Sequence, residues 1–148
     1  MVIQKMDMDR FRIMYSELIE NYQYIEMHLK GIYASLDTNG SIQTNSLYTG
    51  QFYENLMDVN DDCLKLIINK IKEQEKKNKE TVIDSSIYDR LEKIRPRRNY
   101  WCHSCFVDMV IDRKIKTYRR KYIDELLNGD RESRELRDIL FQIKTSMI

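Results

Sequence analysis

Helix breakers are scarce in this chain of 148 residues, in which proline occurs once and glycine four times. So few enforced turns favour long helices over many short strands. Cysteine occurs three times, an odd number that argues against the disulfide framework of a secreted scaffold. No apolar run approaches the roughly 18 residues that a membrane span needs. The opening "MVIQKMDMDRF" lacks the basic-then-apolar layout of a signal peptide. These absences lead to the expectation of a cytoplasmic, all-α protein with no membrane partner. What is present agrees: 42% hydrophobic and 33% charged residues place the chain among globular rather than disordered proteins. Residues 1–148 are read as one domain, long enough to bury a single core without staples.

The net charge of +1 conceals an asymmetry. Between Lys93 and Lys121 stand ten Lys or Arg against Asp108 and Asp112, a local balance of +8, which leaves −7 for the rest. Such a block is either a solvated helix face or a place where a polyanion such as RNA docks.

Phe11, Tyr15, Leu18, Tyr22, Ile25, Leu29, Ile32 and Leu36 recur in alternating four- and three-residue steps. That spacing predicts an amphipathic helix from about Asp7 to Leu36 with a coiled-coil-like seam. "DTNGSIQTNS" then reads as a loop. A second helix is predicted from about Thr49, with Phe52, Leu56, Val59, Cys63, Leu66, Ile67 and Ile71 inward, ending in the solvated run "KEQEKKNKE". Asp84 or Ser85 is the expected N-cap of the next helix, which places Ile87, Leu91 and Ile94 inside. Pro96 is expected to end that helix near Arg95 and to start another. "NGD" at 128–130 reads as a stop before a last helix that carries Leu136, Ile139, Leu140 and Ile143. The whole is an all-α bundle of four to five helices, without strands or internal repeats.

One stretch concentrates the rare residues. "RPRRNYWCHSC", residues 95–105, holds the proline, the tryptophan, one of two histidines and two cysteines. Trp101, Cys102, Cys105, Phe106, Met109 and Val110 cover more than one helix face, which predicts burial on most sides. Cys102 and Cys105 have the spacing of half a zinc site, for which Cys63 and His28 are the remaining candidate ligands. Nothing in the spacing of Cys63 and His28 encourages that reading, and cysteines often serve as small hydrophobes. A redox C-x-x-C lacks its strand–helix setting, and adjacent Cys and His on a helix diverge by about 100°. No metal or cofactor is expected. His28 reads as a core-edge histidine.

Asn99 and His103 are four apart and share a helix face. Arg98 lies roughly 140° from His103 around an ideal helix, and joins it only through a distorted first turn or a second subunit. A histidine can move the proton of a ribose 2′-hydroxyl, and a guanidinium offers paired donors to a phosphate. By spacing alone, the plainer reading is that Arg98 and His103 are ordinary polar residues on a bundle surface.

Arg98, Asn99 and His103 in "RNYWCH" resemble the R-x4-6-H motif of HEPN domains, including the polar residue that often follows its arginine. The order of a long amphipathic first helix, a loop, a second helix and a later motif helix is similar as well. The resemblance implies a metal-independent endoribonuclease acting at a homodimer cleft, of the kind found in toxin–antitoxin and phage-defence systems. Arg98 would stabilise the phosphate, His103 would transfer protons, and Asn99 would support them. Arg95, Arg97, Arg113, Lys114 and Lys116 would hold the RNA backbone. Tyr100 or Trp101 would stack a base, although core packing suits Trp101 better. One branch of the family carries a tyrosine two residues after the histidine, which an antitoxin nucleotidyltransferase modifies. Cys105 stands there instead, which puts that route of neutralisation in doubt. The alternative is a non-catalytic module that binds nucleotides or a partner protein, or that serves dimerisation.

Overall fold

The computed structural model describes residues 8–36, 50–103 and 118–147. They form five α-helices and no strand: α1 Met8–Leu36, α2 Gly50–Val59, α3 Leu64–Asn78, α4 Ser85–His103 and α5 Tyr118–Ser146. The chain is therefore all-α, as its shortage of breakers implies.

Helix α1 is the central mast and packs against each of the other four helices. Its predicted seam is the core: Phe11, Leu18, Tyr22, Ile25, Leu29, Ile32 and Leu36 are buried and Tyr15 packs against them. Burial of each large aliphatic side chain contributes on the order of 2 kcal/mol, which outweighs the weak intrinsic helix preference of the aromatic positions. Helix α5 runs parallel to α1, since Asn21 meets Arg137 and His28 meets Lys144. Helix α4 lies antiparallel to both: Trp101 reaches Tyr15 while Arg98 reaches Glu26, and Arg90 reaches Glu132 and Glu135.

Three sequence-based boundaries are corrected. The second helix is two helices. The chain breaks at Asn60–Cys63, where Asp62 N–H bonds the Val59 carbonyl and Cys63 adopts extended dihedrals as the N-cap of α3. The run Asn60-Asp61-Asp62 competes with the helix through its own polar side chains. The break shifts the inward face to Leu64, Ile67, Ile68 and Ile71, leaving Cys63 and Leu66 exposed. Lys70 fastens the corner with Nζ 2.7 Å from Asp62.

Pro96 does not divide α4, which runs unbroken through it. An interior proline costs about 3 kcal/mol, but Leu91, Ile94 and Trp101 are buried on either side and hold both halves to one core. "NGD" does not stop α5 either. Gly129 is buried against Leu18 and Trp101. Asp130 accepts from Asn21 Nδ2 at 3.2 Å and from Arg134 at 2.6 Å, so the predicted stop is a contact with α1 instead.

Other predictions hold. Asp84 caps α4 by accepting the Ser86 N–H at 3.3 Å. Leu136 and Leu140 are buried on α5, with Ile139 and Ile143 half-buried. The "KEQEKKNKE" run is the exposed end of α3, closed by Lys79 in the left-handed region. Glu75 within it is structural: its carboxylate accepts the Val82 and Ile83 N–H groups at 2.7 and 3.0 Å and also the Tyr88 hydroxyl.

Candidate functional site

Helix α4 carries the motif, and its contacts place each residue. Arg98 is half-buried and turned onto α1, with Nη2 2.6 Å from Glu26 Oε1. Its Nη1 donates to Asn99 Oδ1 at 3.4 Å, so arginine and asparagine touch, and Asn99 is exposed. His103 ends the described part of α4, one turn after Asn99. With α4 continuous across Pro96, no distorted first turn brings Arg98 around toward the position of His103.

Trp101 is core rather than a stacking platform. It is 2% exposed and packs on Phe11, Tyr15 and Tyr100 with ring centroids 6.5, 6.3 and 5.5 Å away. The Tyr15 hydroxyl donates to the Trp101 carbonyl at 2.7 Å and pins the motif to α1. Tyr100 is half-buried beside it. Arg95 pairs with Glu92 on its own helix at 3.3 Å, whereas Arg97 is exposed. Arg113, Lys114, Lys116, Cys105, Phe106, Met109 and Val110 lie outside the described residues.

The two described cysteines do not serve as small core hydrophobes. Cys63 and Cys102 are both exposed and unpaired, so of the motif residues expected to be buried, Trp101 is and Cys102 is not, and the others lie outside the described residues. Partial desolvation pushes the Cys102 thiol pKa up, which is unfavourable for a nucleophilic thiolate. No group of three His, Cys, Asp or Glu able to hold a metal occurs among the described residues. His28 is buried between α1 and α5, where Lys144 Nζ lies 2.9 Å from its Nδ1. Burial, then the charges of Lys144 and Arg137, lower its pKa to about 4. The ring is therefore neutral and accepts from the ammonium.

Arg97, Tyr100 and Trp101 join residues that the sequence reading missed to line a groove where α4 faces α5. One cavity of about 350 Å³ is lined by Tyr22, Arg90, Lys93, Ile94, Arg97, Gly129 and Glu132. A second, of about 310 Å³, is lined by Pro96, Arg97, Tyr100, Trp101 and Glu125. Arg97 belongs to both. Arg90 is engaged by Glu132 and Glu135 at 3.1 and 2.6 Å, but Lys93 and Arg97 are exposed and have no carboxylate partner among the described residues. The stripe Arg90, Lys93, Arg97 steps by three and four along one helix. It was legible in principle, but a helix ended at Arg95 cuts it in two. The groove combines excess positive charge with aromatic and apolar walls, a lining that suits an anionic ligand with a flat organic part.

No described helix is long and apolar enough to cross a membrane. No known family model, curated protein or solved structure matches this chain.

Proposed function

We propose that the chain is a HEPN-like helical domain that cleaves RNA without a metal ion, as a homodimer in a toxin or phage-defence setting. The observation that carries this reading is the juxtaposition of the RNYWCH motif with a cationic groove on one continuous helix, α4. A phosphodiester chain held by Lys93 and Arg97 would reach Arg98 and His103 within about three helical turns.

In the proposed reaction the ribose 2′-oxygen attacks the adjacent phosphorus and the bond to the 5′-oxygen breaks. A 2′,3′-cyclic phosphate and a 5′-hydroxyl result. His103 takes the 2′-hydroxyl proton, and His103 of the second protomer returns one to the leaving oxygen. Arg98 neutralises the charge that grows on the phosphate. Glu26 acts as a positioning residue that holds the guanidinium until substrate displaces it. An antitoxin partner would have to act by a route other than modifying a tyrosine at position 105.

The Arg98–Glu26 ion pair also favours the rival reading, a non-catalytic module that binds nucleotides or a partner protein, in which Arg98 ties α4 to α1. The deciding experiment is RNA cleavage in excess chelator by the parent, Arg98→Ala and His103→Ala, with oligomeric state and melting temperature measured alongside. Cleavage with cyclic phosphate ends, lost in both variants while dimer and fold persist, is the expected result. Variants that melt early or fall to monomers would assign the motif to architecture.

A further inference from the structure

Among the described residues, the two cavities on the α4–α5 face share a single side chain, Arg97. The first has Tyr22 in its wall, a residue only 3% exposed whose hydroxyl makes no hydrogen bond among the described residues. Burial raises the pKa of that hydroxyl well above the ordinary tyrosine value, so it stays protonated and able to donate. The hydroxyl opens on the cavity, where a bound group can accept from it. The second cavity has Tyr100 and Trp101 of α4 in its lining, and Glu125 of α5, a carboxylate with no partner among the described residues. Each volume accommodates a nucleobase, and the cation between them sits where the linking phosphate would fall.

We propose that this groove holds two consecutive nucleotides of single-stranded RNA. Arg97 grips the phosphate between them, and one base occupies the space beside Tyr22 and Ile94, the other the space beside Tyr100. The proposal rests on the RNA reading above and deepens it by naming the track of the substrate. Lys93 meets the next phosphate. Glu125 accepts a base N–H, and the Tyr22 hydroxyl donates to a carbonyl or phosphate oxygen. Duplex RNA, whose bases are paired and stacked inside, cannot enter both cavities.

The test is fluorescence anisotropy with a short oligouridylate bearing 2′-O-methyl riboses, which lacks the attacking hydroxyl and stays intact. Arg97→Ala should weaken binding about tenfold or more and flatten the log–log salt slope by about 0.7. Arg97→Lys should restore the slope. Tyr22→Phe, which removes only the oxygen, should weaken binding about threefold, and a duplex of the same length should bind more weakly than the single strand. Binding by Arg97→Ala and Tyr22→Phe within about twofold of the parent overturns the track, as does a parent that does not bind. The cleavage reading fails separately. An oligonucleotide bound with these dependences while no RNA is cut would keep the groove and remove the reaction. Cleavage lost in His103→Ala but indifferent to Arg97→Ala would keep the reaction and remove the groove.

Discussion

Single residues decide several contacts here through what they leave out. Gly31 and Gly129 are both helical, and alanine is favoured over glycine in a helix interior by about 1 kcal/mol. A Cβ on Gly129 would lie 3.4 Å from Leu18 Cδ1, an ordinary contact, whereas one on Gly31 would lie 2.8 Å from Lys144 Cδ. Gly129→Ala is therefore expected to raise stability by about 0.5–1 kcal/mol in urea unfolding. Gly31→Ala must push Lys144 off His28, and is expected to gain nothing or to lose stability. At the motif, Glu26→Gln leaves the Arg98 guanidinium without its carboxylate. If Arg98 only ties helices together, Glu26→Gln and Arg98→Ala should destabilise equally and their double variant should add nothing further. If Arg98 acts on substrate, Arg98→Ala should lose cleavage far beyond what either change does to the melting temperature.

Among the elements, α4 carries the largest conflict between local and tertiary preference. Pro96 deprives the helix of one N–H donor four residues after Glu92 and disfavours helical dihedrals at Arg95. Burial of Ile94 and Trp101 and the pairs of Arg90 and Arg98 to α5 and α1 hold the element straight through. Pro96→Ala is expected to stabilise the domain by about 1–3 kcal/mol, read as a higher denaturation midpoint at unchanged slope. The turn from α3 to α4 depends instead on one carboxylate. Glu75 gathers two backbone N–H groups and the Tyr88 hydroxyl, so Glu75→Ala leaves three donors without their acceptor. A loss of about 2–3 kcal/mol is expected, together with faster amide exchange at Val82 and Ile83.

At the scale of the molecule, α1 and α5 meet along a seam that is partly polar, and this gives stability a pH dependence. The pKa of His28 is lowered from 6.5 unfolded to about 4 folded. The unfolded chain therefore binds the proton first as acid is added. The contribution is complete above pH 6.5 and is lost as pH falls toward 4, by at most about 3 kcal/mol. The groups facing His28 from α5, Lys144 and Arg137, are both cations, so no acid among the described residues offsets the effect. Urea unfolding between pH 7 and pH 4.5 should show this acid limb in the parent and a flatter one in His28→Gln. An identical slope in the two would mean that carboxylates alone govern it.

The sequence by itself determined the helical class, the long first helix and its buried face. These follow from a sustained apolar period and few breakers, and burial of seven of the eight seam positions rewards one register only. It also narrowed the cap of α4 to Asp84 or Ser85, because capping is a contact among near neighbours. Tertiary structure decided the rest. Whether Pro96 and "NGD" interrupt a helix depends on what packs against them, and here Trp101, Leu18 and Asn21 make continuation favourable. The α2–α3 corner went unread because apolar spacing continues across it while Asn60, Asp61 and Asp62 turn the chain. The motif residues were legible as letters. That Arg98 meets Glu26, and that Arg97 stands between two cavities with Tyr22 in the wall, arises from helices brought together across more than seventy residues of chain, a proximity set by core packing.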